Sequence, residues 1–244
     1  MLKNKKVIIF DLDGTLIDSV GIWNEIDETL IKMIGTKELD DVDIGNQRDT
    51  KLKEYRSLDD AYLEYCGFLK EKYKSNMSKQ EIKKLRYEIA DKYLKEVVDY
   101  KPNAEKLLKF LKNKGFILVV ASTTNDSTIE KYEKFNENIK SKANFEDTFK
   151  LVYAKGAVKE IKPNPEIHYK ILNELKVKKE ECLIIEDALV GVEAANNAGI
   201  EVTVIYDKYS DCNREQINKL SNYQFKDFNE ILESAKAELE SNGE

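Results

Sequence analysis

Asp11 and Asp13, separated by one residue, follow directly on the apolar run VIIF at 7–10. Two carboxylates that close repel, so a fold that gathers them must give them something to hold. A second acidic pair, Glu186 and Asp187, follows CLII at 182–185. Ser122 and Thr123 follow FILVVA, and Lys162-Pro163 precedes NPEIHYKIL. Clustered carboxylates are tolerable around a hard divalent cation. Mg²⁺ takes oxygen ligands in octahedral geometry and keeps several waters. Such a cation and the Lys162 ammonium would neutralise phosphoryl oxygens, with Ser122 and backbone amides donating hydrogen bonds. One carboxylate could then attack phosphorus while a second supplies and removes the proton.

These residues need a scaffold that brings distant segments together. The runs at 7–10, 116–121, 149–154, 182–185 and 202–206 are short, rich in β-branched residues and not alternating. That is the signature of strands buried on both faces of a parallel sheet. Helical patterns separate the later runs. Ala104, Leu107, Leu108 and Leu111 share one face between Pro102 and Gly115, and Ile129, Tyr132, Phe135 and Ile139 predict another helix. Pro165 suits a first helical position ahead of Ile171, Leu172 and Leu175, and Val190, Ala194, Ala195 and Ala198 precede a terminating Gly199. The rhythm predicts an α/β fold with a doubly wound, mainly parallel, Rossmann-like sheet. In such sheets ligands bind beyond the carboxyl ends of the strands.

The stretch between the first two strands is too long for one crossover. It carries helical stripes at Ile22, Ile26, Leu30 and Met33, at Leu58, Tyr62, Tyr65, Leu69 and Tyr73, and at Ile82, Leu85, Ile89, Tyr93 and Val97. Ser78 and Glu81 form a capping-box pattern before the last. The expected organisation is an α/β core over 1–17 and 101–244, with an all-helical domain over 18–100 inserted into it.

Composition limits the rest. The 244 residues carry a formal net charge of −6, with charges of both signs mixed and no basic stripe, which argues against nucleic acid. No apolar run approaches the ~18 residues of a membrane span. The basic N-terminus MLKNKK precedes too short an apolar run for a secretory signal. Three cysteines, Cys66, Cys182 and Cys212, show no CxxC spacing and suit a reduced, cytoplasmic setting.

DLDGT at 11–15, VVAST at 119–123, KPNP at 162–165 and EDALVGVEAANNAG at 186–199 occur in one order. In that order the chain resembles the haloacid dehalogenase superfamily, in its branch of phosphoglycolate-phosphatase-like and β-phosphoglucomutase-like enzymes. The resemblance covers 1–17 and about 101–220, and the helical insert matches the family's cap in position and length. It implies that Asp11 is the nucleophile and forms an aspartyl-phosphate. Asp13 would be the general acid and then the base, its backbone carbonyl a ligand of Mg²⁺. Ser122, Thr123 and Lys162 would hold the phosphoryl group, and Asp187 and Glu186 would join Asp11 at the metal. The substrate would be a small phosphorylated metabolite.

Other readings exist for several residues. Asp11 and Asp13 lack the further acids of a calcium loop. Ser122 is also a natural helix cap, and Lys155 or Lys159 are rivals to Lys162. The lone His168 reads as structural or exposed, and Cys182 as core. Trp23 is either core of the helical domain or a substrate-facing wall. Arg48, in GNQRD at 45–49, stands near where β-phosphoglucomutases carry an arginine. A Mg²⁺-dependent phosphatase leads, a sugar-phosphate mutase is the alternative, and a non-catalytic binding protein on the same fold is a third.

Overall fold

The computed structural model describes residues 1–35, 43–55 and 57–240. By its contacts the chain divides into two compact units, Met1–Val20 with Val98–Glu244, and Gly21–Val97.

The first unit is built on a six-stranded sheet, with β1 Val7–Phe10, β2 Ile117–Ala121, β3 Leu151–Tyr153, β4 Cys182–Glu186, β5 Glu201–Ile205 and β6 Tyr223–Phe225. The strand order is β3-β2-β1-β4-β5-β6 and every pairing is parallel. β1 lies between β2 and β4, with Phe10 opposite Val120 and Ile185. The chain therefore winds outward from β1 in one direction and, from β4, in the other.

Because side chains alternate across a strand, each run serves two cores. Val7, Ile9, Val119, Ala121, Ile184, Val202 and Val204 form one buried cluster with Ile167, Ile171, Val192, Ala195 and Ile217. Those partners come from the helices Glu166–Leu175, Leu189–Ala198 and Arg214–Leu220. Ile8, Phe10, Leu118, Val120, Leu183 and Ile185, equally buried, take the alternate positions.

The second unit holds four helices, α1 Ile22–Ile34, α2 Ile44–Glu54, α3 Ala61–Lys72 and α4 Lys79–Glu96. The Ser78–Glu81 capping box is formed, with Glu81 N donating to Ser78 Oγ at 3.2 Å and Ser78 N to Glu81 Oε2 at 2.7 Å. Four stripe positions depart from expectation, Tyr62 at 38% and Val97 at 45% exposed among them. Met33 is 59% exposed, and Leu58, 50% exposed, precedes α3 rather than opening it. Asp60 caps α3 instead, its carboxylate accepting from Leu63 N at 3.0 Å.

The remaining helices belong to the first unit: α5 Ala104–Asn113, α6 Asp126–Glu130, α7 Glu137–Ala143, α8 Phe145–Thr148, α9 Glu166–Leu175, α10 Leu189–Ala198, α11 Arg214–Leu220 and α12 Phe228–Glu240. The single helix expected over 129–139 is instead α6, a π-helical turn Lys131–Phe135, and α7. Asn136 divides them. Its extended backbone stops the turn, and its side chain caps α7 by accepting from Ile139 N at 3.0 Å.

Candidate active site at the carboxyl edge of the sheet

The winding reverses at β1 and β4, where an open α/β sheet leaves a crevice beyond its carboxyl ends. Asp11 N donates to Ile185 O at 3.0 Å, extending the ladder one residue and fixing Asp11 at the strand tip. Glu186 is the last residue of β4 and Asp187 the next. Sequential numbers 175 apart thus become neighbours in space. The turn after Asp11 requires Gly14, which has φ +90°, and a Cβ there would lie 2.7 Å from Asp187 Oδ2.

Asp11, Glu186 and Asp187 are buried, and one carboxylate oxygen from each lies within 4.8 Å of the others. Lys162 reaches this cluster from the loop before α9. Its Nζ donates to Asp11 Oδ1 at 2.7 Å and to Glu186 Oε1 at 2.6 Å. Lys155 and Lys159 are exposed, so Lys162 is the lysine the fold buries among the acids.

Glu186 is held from its other side by the start of α10. Its Oε2 accepts from Asp187 N at 2.9 Å and Ala188 N at 3.2 Å, where the helix presents unpaired amides and its positive end. Asp187 Oδ1 accepts from Thr15 Oγ1 at 2.6 Å. Gly191, one turn into α10, leaves room for Glu186: a Cβ at Gly191 would stand 1.6 Å from Glu186 Oε1.

The electrostatics follow from this crowding. Burial, and then the charge of Glu186, raise Asp11 well above the ordinary aspartate value against the pull of Lys162. Asp187 is pushed up to about 7 by burial and by Glu186, with Thr15 and Lys101 opposing. Burial disfavours the Lys162 ammonium, but Asp11 and Glu186 outweigh it and hold Lys162 above the ordinary lysine value. When all three are ionised, the buried carboxylates facing one ammonium leave an excess of two negative charges. Oxygen donors, burial and that excess fit a hard divalent cation.

The Asp13 carboxylate stands outside this cluster. Ser19 Oγ donates to its Oδ1 at 2.5 Å, Tyr132 OH to the same oxygen at 2.8 Å, and Thr124 Oγ1 to Oδ2. Ser122 is buried at the end of β2, its Oγ accepting from Thr124 N at 3.0 Å, and Thr123 is half-buried beside it. Asn125, not Ser122, occupies the cap position of α6. Thr15, Ser19, Thr124, Tyr132 and Gly191 were not singled out as site residues from sequence. Thr15 and Gly191 stood inside quoted motifs, whereas nothing in sequence tied Tyr132 to Asp13.

Trp23 and Arg48 belong to the helical unit. Arg86, 2% exposed, donates through Nε to Asp27 Oδ1 at 2.6 Å and lies 5.1 Å from the Trp23 ring and 5.0 Å from that of Tyr62. Arg48 Nη1 donates to Asn24 Oδ1 at 3.1 Å and Asp27 Oδ2 at 3.2 Å, and its Nε to Asp49 at 2.9 Å. Both side chains thus belong to one network around Asp27. His168 is buried on α9 and held neutral, its pKa lowered to about 3 by burial and by Lys162.

The chain is 28% identical over 197 residues to a phosphorylated carbohydrates phosphatase of Thermotoga maritima, covering 80% of this chain and 82% of that protein. It is 30% identical over 204 residues to a phosphoglycolate phosphatase of Aquifex aeolicus, covering 82% and 84%. Its fold matches the crystal structure of a provisionally assigned beta-phosphoglucomutase from Thermotoga maritima, with TM-score 0.74, 23% identity and coverage of 95% and 99%. Residues 8–205 match the haloacid dehalogenase-like hydrolase family, and with the acids, lysine and sheet topology in place the chain belongs to that family.

Proposed function

We propose that the protein is a Mg²⁺-dependent phosphatase that hydrolyses a small phosphomonoester through an aspartyl-phosphate on Asp11. The observation that carries this reading is the buried triad of Asp11, Glu186 and Asp187, bridged by Lys162. Asp11, Glu186, Asp187 and the Asp13 backbone carbonyl would hold Mg²⁺. The ion would supply charge stabilisation for the phosphoryl oxygens.

Asp11 sits at a strand tip with a fixed backbone, suited to in-line attack on phosphorus. As its oxygen bonds to phosphorus, the bond to the leaving oxygen breaks, and Asp13 gives that oxygen its proton. Asp13, now ionised, takes a proton from water as the water attacks the aspartyl-phosphate, releasing phosphate and restoring Asp11. Lys162, Ser122 and Thr123 would bind phosphoryl oxygens, and Lys162 also keeps Asp11 oriented between attacks.

The relatives at 28% and 30% identity are named phosphatases, which supports hydrolysis over return of the phosphoryl group to a second sugar phosphate. The helical unit is assigned the part of a cap that selects the leaving group, with Trp23 and Arg48 as its candidate contacts. Among the described residues no helix is long and apolar enough to cross a membrane. Cys66, Cys182 and Cys212 are free, in keeping with a cytoplasmic protein. The test is a panel of phosphorylated metabolites assayed with Mg²⁺ for inorganic phosphate, with phosphorus NMR on sugar phosphates. Isomer interconversion without phosphate release would overturn the reading in favour of a mutase.

A further inference from the structure

We propose that Tyr132 and Thr124 are positioning residues for the general acid–base Asp13, acting on opposite oxygens of its carboxylate. The inference rests on the acid–base role given to Asp13 above. Tyr132 is 1% exposed, and its OH donates to Asp13 Oδ1 at 2.8 Å. Thr124 Oγ1 donates to Oδ2, and Ser19 Oγ completes the set on Oδ1 at 2.5 Å. Donors on both oxygens fix the plane of the carboxylate as well as its distance.

The local backbone is arranged to deliver the phenol. Tyr132 falls in the π-helical turn Lys131–Phe135, between α6 and α7. Single π turns interrupt helices at some cost in regularity and occur often at functional sites. Apolar packing accounts for the buried ring. It does not account for a buried hydroxyl aimed at a carboxylate on another loop.

Hydroxyls also suit a group that must alternate between two protonation states. A hydroxyl donates to the ionised carboxylate and can rotate to accept from the protonated one. A lysine or arginine in their place could only donate, and would hold the proton off Asp13. General acid catalysis requires the proton at one point on the leaving oxygen, and a displacement of about 1 Å can cost on the order of a hundredfold.

The test compares substrates that differ in their need for the acid. An alkyl phosphate has a basic leaving oxygen and depends on proton delivery; p-nitrophenyl phosphate has a stable leaving group and depends on it far less. The parameter is kcat/KM, which covers transfer to Asp11 and excludes later hydrolysis. Tyr132→Phe should lower kcat/KM for the alkyl phosphate about tenfold, the lower end for a hydrogen bond to a charged group, and that for p-nitrophenyl phosphate by less than about twofold. Thr124→Val should show the same split, and it decides the matter if Tyr132→Phe does not fold. Equal losses on both substrates, or none on either, overturn the proposal while leaving the phosphatase reading intact. A wild-type protein that releases no phosphate from any substrate overturns both.

Discussion

Lys162→Met removes the buried ammonium while keeping most of the side chain's volume, so the change tests charge alone. The Lys162 side chain is 2% exposed and bonds Asp11 at 2.7 Å and Glu186 at 2.6 Å. Breaking a buried pair by removing one partner typically costs about 3–5 kcal/mol, because the other charge stays behind. Here the loss has a ceiling: the stranded acid can take up a proton. For a carboxyl with an ordinary pKa near 4, protonation near pH 7.5 costs about 5 kcal/mol, at roughly 1.4 kcal/mol per pH unit. Near pH 5.5 the same step costs only about 2 kcal/mol. In excess chelator the variant should therefore be about 3–5 kcal/mol less stable than wild type near pH 7.5. The difference should narrow to about 2 kcal/mol near pH 5.5.

For a unit of this size, about 3 °C of melting temperature corresponds to each kcal/mol, so the expected drop near neutral pH is roughly 9–15 °C. Calorimetry and urea titration of both proteins at each pH provide the measurement. A variant that melts within about 2 °C of wild type near pH 7.5, or a gap that ignores pH, would refute the picture of an anion-crowded site neutralised by Lys162.

Other perturbations follow from the same geometry. Asp11→Asn should abolish phosphate release with circular dichroism unchanged, and a radiolabelled phosphoryl group should be trapped on wild type at Asp11 but not on the variant. With Asp187 raised to about 7, the metal-free protein holds protons near neutrality that its unfolded chain has lost. Its stability should thus fall as pH rises from about 4 through 7, and Mg²⁺ binding near pH 6.5 should release protons. Titration calorimetry in buffers of different ionisation enthalpy reads that release, and a proton count of zero would contradict the assignment of Asp187 as a ligand. Chelator should silence phosphate release, and Mg²⁺ should restore it better than the larger Ca²⁺; full activity in chelator would remove the metal from the mechanism. Gly191→Ala should cut kcat/KM by more than about tenfold and also lower the melting temperature, since alanine's better helix propensity, up to about 1 kcal/mol, offsets only part of the cost of displacing the pinned Glu186.

What could be read from sequence follows from burial. The strands β1, β2, β4 and β5 were visible because both faces are covered and the residues between their ends are apolar, save the buried, β-branched Thr203 of β5. β6, Tyr223–Phe225, is a short edge strand with half-exposed residues, and nothing in it distinguishes strand from loop. α2 went unseen because only Ile44 and Gly45 are buried, so there is no apolar stripe to detect. The 129–139 stripe was read with one period, but the π turn and the Asn136 cap break the period where Tyr132 must turn toward Asp13. Acids at strand ends were legible as a site because charge is rare there. Thr15, Ser19 and Thr124 were not, because hydroxyls are common in loops and a donor is recognised only once its acceptor is in view.

The glycines show how far the site reaches into the backbone around it. Glu186 is pinned by Lys162, by Asp187 N and by Ala188 N, so its carboxylate has no slack with which to avoid a new neighbour. The free face of Gly191 is therefore part of the acid's seat, as that of Gly14 is for Asp187. At Gly14 the positive φ gives an independent reason for glycine, so a substitution there confounds backbone strain with displacement of the acid. Gly191 lies within α10, in a conformation any residue adopts, and only the nearness of Glu186 excludes a side chain. The spacing of acid and glycine in EDALVG thus records one steric condition: a carboxylate folded back onto the first turn of its own helix needs a missing Cβ beneath it.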